Sequence, residues 1–221
     1  MAPGVDDTSE FKIEVIPANE QGCRFYLERY KPFRLAALQY DADAFGSTYA
    51  REINFDDDAW LGRIKNPSAK TFVALRSSDD EVVASTSLIG PLPNTGPASN
   101  PYHVLSEMRP RADQQEKDAD AGGEPLCFQM AAVYTTPSNR GRGLAKALIK
   151  AATEEAIQQA QAQARPLVLS VVVYAANNAA ISVYERCGFV RSAGKARLVF
   201  NAFKNSSAEE ISMYYSGSFS S

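Results

Sequence analysis

The chain has 221 residues, 45% hydrophobic and 22% charged, the balance of a soluble globular protein of ordinary domain size with length enough for a packed core. A formal net charge of −3 and a pI near 5.3 argue against nucleic acid or an anionic membrane as a partner of the bulk charge. No apolar run reaches membrane-spanning length, Met1 to Glu10 lacks a signal-peptide core, and three widely spaced cysteines (Cys23, Cys127, Cys187) fit neither a disulfide framework nor a metal site, so a reducing, cytoplasmic setting is expected.

Residues 1–10 read as a flexible tail ahead of a single domain over 11–221. Phe11 to Pro17 alternates apolar and polar, which predicts a half-buried strand. Two or three helices are expected between Glu20 and Asn66. Phe33 to Leu38 carries helical spacing, and Asp56-Asp57-Asp58 is an acidic helix start ahead of Trp60, Leu61 and Ile64, closed off by Pro67. Thr71–Leu75 and Val82–Ile89 read as a hairpin across Ser77-Ser78-Asp79-Asp80. From about 91 to 125 the composition changes, with Pro91, Pro93, Pro97, Pro101, Pro110 and Pro125 and the charged run Arg109 to Asp120. Such a long insertion loop is a lid, a binding loop or disorder, and its histidine, His103, reads as solvated.

Leu126 to Thr135 is a strand that ends in the turn Thr136-Pro137-Ser138-Asn139. A glycine-bearing entry then opens a long helix. Leu144, Leu148, Ala152 and Ala156 recur four apart, Ala145, Ile149 and Ala160 widen that face, and Lys150 with Glu154 forms an i,i+4 pair on the solvated side. Leu167 to Tyr174 is almost unbroken apolar and β-branched, which predicts a central strand covered on both faces. Strand, helix and strand make a right-handed βαβ unit. A short helix over Asn177–Cys187 stops at Gly188, Phe189 begins the return, and Ala196–Phe203 with Glu209–Tyr215 reads as a closing antiparallel pair.

The first amides of a helix have no intrahelical partners and carry the positive end of its dipole, so the entry at Gly141 and Gly143 suits a phosphate or pyrophosphate, with Arg140 and Arg142 adding charge at the rim. A glycine-loosened helix start with two solvated arginines is the plainer alternative. The spelling G-L-A-K excludes a P-loop, and Lys146 stands where a dinucleotide fingerprint needs a small residue.

Arg140-Gly141-Arg142-Gly143-Leu144-Ala145 resembles the R-x-x-G-x-A pyrophosphate loop of the GCN5-related N-acetyltransferase (GNAT) superfamily, and Val133-Tyr134-Thr135-x-Pro137 is similar to the strand that leads into it. Asn177 to Phe189 resembles that superfamily's N-x-x-A-x-x-x-Y-x-x-x-G-F helix, and Asn177 and Tyr184, two turns apart, lie on one face with Ala180 between them. Asp43 to Tyr49 resembles the D-x-x-A-F-G-S-x-Y segment of many small-molecule and peptide N-acetyltransferases, or is a helix–helix corner with core aromatics.

The resemblance implies an α/β (α+β) fold: a mixed, mostly antiparallel central sheet with a parallel βαβ core, splayed central strands and helices on both faces. It also implies acetyl-CoA as cofactor and direct attack of a primary amine, on a small molecule or peptide, in a ternary complex. On this reading the backbone of Val133, Tyr134 and Thr135 pairs with pantetheine, the amides of Arg140, Gly141, Arg142, Gly143, Leu144 and Ala145 hold the pyrophosphate, and Asn177 and Ala180 contact the arm. The Val133 N–H polarises the thioester carbonyl, Tyr184 is the general acid toward the CoA sulfur, and Phe45 and Tyr49 wall the acceptor.

The base is open. Cys127 to Ala131 offers no carboxylate, leaving Glu124, Glu107 or a water relay, and Cys127 reads as an inert buried thiol rather than an acyl-accepting nucleophile. The alternatives are a non-catalytic acyl-CoA-binding module and a protein-lysine acetyltransferase. No nucleic-acid or membrane partner is expected, and a homodimer is an admissible assembly.

Overall fold

The computed structural model describes residues 10–92 and 123–217, so His103, Glu107, the run Arg109 to Asp120 and nearly all of the N-terminal tail lie outside the described residues. The elements in order are β1 (Phe11–Val15), α1 (Glu20–Phe25), a π-helical turn (Tyr26–Tyr30), α2 (Lys31–Tyr40), a 3-10 turn (Ala42–Ala44), α3 (Tyr49–Glu52), α4 (Asp57–Ile64), β2 (Ala69–Arg76) and β3 (Val82–Leu92). After the insertion come β4 (Leu126–Thr135), a 3-10 turn (Pro137–Asn139), α5 (Leu144–Ala162), β5 (Leu167–Tyr174), α6 (Asn178–Arg186), β6 (Phe189–Arg191), β7 (Arg197–Asn201) and β8 (Ser206–Tyr215). The helical stretch after Glu20 is longer and more broken than expected. Its first part runs from α1 through the π turn into α2 without leaving helical dihedrals, and Pro32, which has no N–H to give, follows directly on the wider π turn.

One sheet runs β1-β2-β3-β4-β5-β8-β6, with β7 also on β8, and the pair β4–β5 is parallel while the others are antiparallel. This is the mixed, mostly antiparallel sheet expected, with helices on both faces. On one face α5 lays Leu144, Leu148, Ile149, Ala152, Ala156 and Ala160 onto Phe128, Met130, Leu169, Val171 and Met213. On the other, Trp60, Tyr26, Tyr30 and Ile64 pack on Val73, Leu75 and Val82. Lys150 and Glu154 meet at 3.7 Å on the outer side of α5. Among the described residues no helix is long and apolar enough to cross a membrane.

Two features of β4 shape the centre of the sheet. It pairs with β5 only from Leu126↔Leu167 to Met130↔Val171, and from there the strands part. It also carries an extra residue against β3: Ser87 faces Ala131 and Ser85 faces Tyr134, with Ala132 at φ 54 in the bulge. A bulge shifts the side-chain phase by one. Phe128 and Met130 therefore share the α5 face with Val133, while Tyr134 turns to the opposite face and packs with Phe45, Ala37 and Leu38. Thr86, the residue opposite the bulge, donates its hydroxyl to the Ala131 carbonyl at 3.1 Å.

Candidate active site

The wedge between the parted ends of β4 and β5 meets the N-terminus of α5. The connecting turn is held from inside by Asn139, buried, whose amide donates to the hydroxyls of Thr136 (2.9 Å) and Ser138 (3.2 Å). Gly141 and Gly143 both take left-handed dihedrals, φ 78 and φ 77, which favour glycine. Gly143 is the cap of α5 and supplies no side chain to the helix amides. A Cβ at either glycine meets nothing within 4 Å, so the space above the loop is open to a ligand. Just upstream, the Thr135 hydroxyl oxygen is buried with no hydrogen-bond partner among the described residues. An open glycine cradle, uncapped amides and an orphan hydroxyl at its foot fit a pyrophosphate-bearing ligand.

The two arginines depart from the expected rim. Arg140 donates Nε to the Thr135 carbonyl (3.1 Å) and Nη2 to Asp41 Oδ2 (2.8 Å), and Arg142 pairs with Glu10 beside Phe11. Their charge is shared with acids, so the anion-binding power of the loop rests mainly on its amides. Asp41 Oδ2 also accepts from the Tyr134 hydroxyl at 2.8 Å. Burial, and then the Asp41 carboxylate, pushes the Tyr134 phenol up to about 12. Tyr134 thus offers only its backbone to the wedge.

Asn177 caps α6, its side-chain oxygen accepting from the Ala180 N–H at 3.1 Å, and it lines a cavity of about 820 Å³ between the Tyr40–Ala44 segment, the end of β5 and the β7–β8 turn. Tyr184, 5% exposed, lies on the α5 side of the sheet with its ring edge-on to Phe189 at 5.5 Å. Burial raises its phenol well above the ordinary range. Phe45 is buried, its ring 5.4 Å from Tyr134 and 4.5 Å from the Arg34 guanidinium, so it backs the wall rather than facing the opening. Tyr49 is partly buried against the same cluster.

Glu124 is not brought to the site. It is exposed ahead of β4, at the end opposite the wedge, and a strand advancing about 3.3 Å per residue sets it roughly 25 Å or more from Val133. Cys127 is buried and burial pushes its thiol up, away from nucleophilic use. Gln129, buried in the stretch Cys127–Ala131, carries an amide and no carboxylate.

The structure adds residues that the sequence reading passed over. Asp41 links the glycine loop, through Arg140, to Tyr134 on the face that also carries Phe45. The D-x-x-A-F spacing counted back from Ala44 lands on it rather than on Asp43, and that was the available signal. Asn201 donates to the Gly46 carbonyl (2.8 Å), Lys204 to the Ala42 carbonyl (2.7 Å) and Tyr174 to the Phe45 carbonyl (3.4 Å), so the β7–β8 turn and the end of β5 pin the 41–46 loop.

The sequence model of the acetyltransferase (GNAT) family matches residues 34–189. Among curated proteins no sequence match is found. Solved structures are similar in fold. NAA60 of Arabidopsis thaliana with acetyl-CoA aligns at TM-score 0.57 and 16% identity, over 92% of this chain and 98% of that one. Spermidine N-acetyltransferase of Vibrio cholerae with CoA and spermine aligns at 0.56 and 13%, over 94% and 95%. Ribosomal-protein-alanine N-acetyltransferase of Brucella melitensis aligns at 0.53 and 18%, over 91% and 98%. At these identities the likeness shows the fold, whereas the family match, which spans the wedge, the glycine loop and α6, shows that the chain belongs to the acetyltransferase (GNAT) family.

Proposed function

We propose that this chain transfers an acetyl group from acetyl-CoA to a primary amine of a small molecule or peptide, both bound at once. The observation that carries the reading is the uncapped start of α5 under open glycines, placed at the mouth of the β4–β5 wedge. Acetyl-CoA supplies the activated thioester, and the rest is done by this chain's own groups. The main-chain amides of Gly141 to Ala145 receive the pyrophosphate, that of Arg140 being held by the Pro137 carbonyl at 3.3 Å. Val133 and Thr135, beyond the point where β4 leaves β5, offer backbone to the pantetheine in the manner of an added strand. Asn177 and Ala180 meet the arm at the start of α6. Val133, in the bulge and outside the paired register, presents its N–H toward the reacting carbonyl. Tyr184 holds its proton at working pH and offers it as a hydrogen bond to the departing sulfur.

The cavity supports an amine acceptor. Asp41, Asp43 and Glu209 line it with Lys204, the one ammonium among the described lining residues, and Tyr40 and Tyr174 form an aromatic wall. Solved neighbours named for spermidine and for a ribosomal-protein alanine act on amines of both sizes, in keeping with the class.

Calorimetry with CoA and a thiol-release assay over a panel of amines test the proposal. CoA binding with release of free thiol is expected, and binding without release for any amine points instead to a non-catalytic acyl-CoA module. Gly143→Ala sharpens the test. Its Cβ strikes no protein atom, and the left-handed backbone costs about 1–2 kcal/mol in the free and bound states alike. A weakening of CoA affinity by about tenfold is expected, equivalent to about 1.4 kcal/mol, because the methyl fills the ligand's approach. An unaltered Kd in this variant removes the pyrophosphate assignment.

A further inference from the structure

The face of the sheet that carries Tyr134 and Tyr174 holds a carboxylate with no assigned work. In the β5–β8 ladder Tyr174 stands opposite Glu210, Val172 opposite Ser212 and Val173 opposite Ile211. Val171, Val173, Ile211 and Met213 pack into the core under α5, so the alternation of a strand sends Glu210 and Tyr174 to the other face together. Side chains directly opposite in an antiparallel pair have Cβ atoms about 5 Å apart. Tyr174 lines the large cavity and donates its hydroxyl to the Phe45 carbonyl, which places Glu210 one side chain behind the cavity wall on the acceptor side.

The other acids near this face are committed or solvated. Asp41 accepts from Tyr134 and Arg140, Glu52 is enclosed by Arg34 and Arg63, and Asp43 and Glu209 are exposed. Glu210 is half-buried and makes no hydrogen bond or ion pair among the described residues. The titratable groups around it are Tyr174 on β5, Arg197 opposite it on β7, Lys204, whose ammonium lies 5.4 Å from the Tyr174 ring, and Asp41 and Asp43 across the cavity. Burial is what raises its carboxyl above the ordinary value. A carboxylate moved toward neutrality is better matched to accepting a proton from an ammonium than a solvated one.

We propose that Glu210 is the group that takes the proton of the acceptor ammonium, through an intervening water, before the amine attacks. This rests on the acetyltransferase reading above. The ammonium gives one proton to the Glu210 carboxylate and becomes a free amine. The amine nitrogen forms the new C–N bond to the acetyl carbon, the C–S bond breaks, and its electron pair leaves on the sulfur. Tyr184 hydrogen-bonds the sulfur as negative charge gathers on it, the proton lost by the new amide nitrogen reaches the thiolate through solvent, and Glu210 returns its proton to bulk water, so that one proton is released per acetyl group transferred.

The test compares wild type, Glu210→Gln and Glu210→Asp in the thiol-release assay with the best amine of the panel, from acid to alkaline pH. For wild type, kcat/KM should rise with pH through an acid limb distinct from the amine's own deprotonation near pH ~10. Glu210→Gln should lose that limb and about tenfold in kcat at neutral pH, below the usual range for a base because bulk water supplies some free amine. Its amine KM, CoA affinity and melting temperature should stay close to wild type, and Glu210→Asp should keep the limb at reduced rate. A Gln variant that keeps both rate and limb, or loses only in amine KM, overturns the assignment of Glu210 alone. A wild type that binds CoA yet releases no thiol with any amine overturns the enzyme reading and Glu210 with it.

Discussion

Glu52→Ala is expected to destabilise the fold by about 3–5 kcal/mol. The Glu52 side chain is 1% exposed and accepts from Arg34 Nη2 at 3.0 Å, Arg34 Nε at 3.3 Å and Arg63 Nη1 at 2.9 Å. Removing it leaves two guanidiniums facing a void. Arg34 is 12% exposed and is stacked on Phe45 at 4.5 Å, while Arg63, at 34%, recovers some hydration, which favours the lower half of the range.

Linkage gives an independent check. Burial opposes ionisation of Glu52, but its hydrogen bonds and charge pairing with Arg34 and Arg63 outweigh it and lower the carboxyl from 4.5 to about 2. A shift of that size corresponds to about 3 kcal/mol. Because the folded value is the depressed one, the contribution is complete above pH 4.5 and is lost as the pH falls toward 2. Urea unfolding should therefore show wild type and Glu52→Ala far apart at neutral pH and converging through that acid window. A gap below about 1 kcal/mol, or one that ignores pH, contradicts the enclosed-charge account. Activity should fall as well, since Arg34 braces the Phe45 ring that packs on Tyr134, near the cavity proposed to take the amine.

The parts of this protein that the sequence made readable are those whose physics is local. The β-branched run of β5, the four-residue spacing of α5 and the stop at Gly188, φ 83, each announce themselves within a dozen residues, and β4 and β5 match their expected ends residue for residue. The loop glycines were readable for the same reason. What escaped depends on contacts far apart in the chain. Nothing near Asp41 signals that Arg140 and Tyr134 will meet it, and the side of the sheet taken by Glu210 follows only from the β5–β8 register. The bulge at Ala132 was hidden because an alanine, not a glycine, holds its positive φ, and it alone decides that Tyr134 and Val133 part to opposite faces. Glu124 misled by adjacency: it is next to the right strand in sequence, but at the wrong end of it.

Tyr184→Phe is expected to slow turnover on the order of 10²-fold while leaving CoA affinity in place. The ring is held by packing rather than by its hydroxyl. Phe189 lies 5.5 Å away, and no hydrogen bond to the Tyr184 hydroxyl is found among the described residues, so phenylalanine keeps the fit. Burial raises the phenol further above its free value, so it stays protonated across the working range and always has a hydrogen to offer. Even unperturbed, a phenol near ~10 sits above a thiol near ~8.5, so complete transfer to the sulfur runs uphill. Its contribution is then largely a hydrogen bond that strengthens as negative charge gathers on sulfur. Such a bond acts on kcat and not on ground-state binding. The loss should accordingly shrink with an acyl donor whose thiol is more acidic, because a better leaving group asks less of the phenol. An unchanged kcat at saturating acetyl-CoA, or an equal loss with every leaving group, removes Tyr184 from the chemistry and leaves it as one more aromatic of the α5 core.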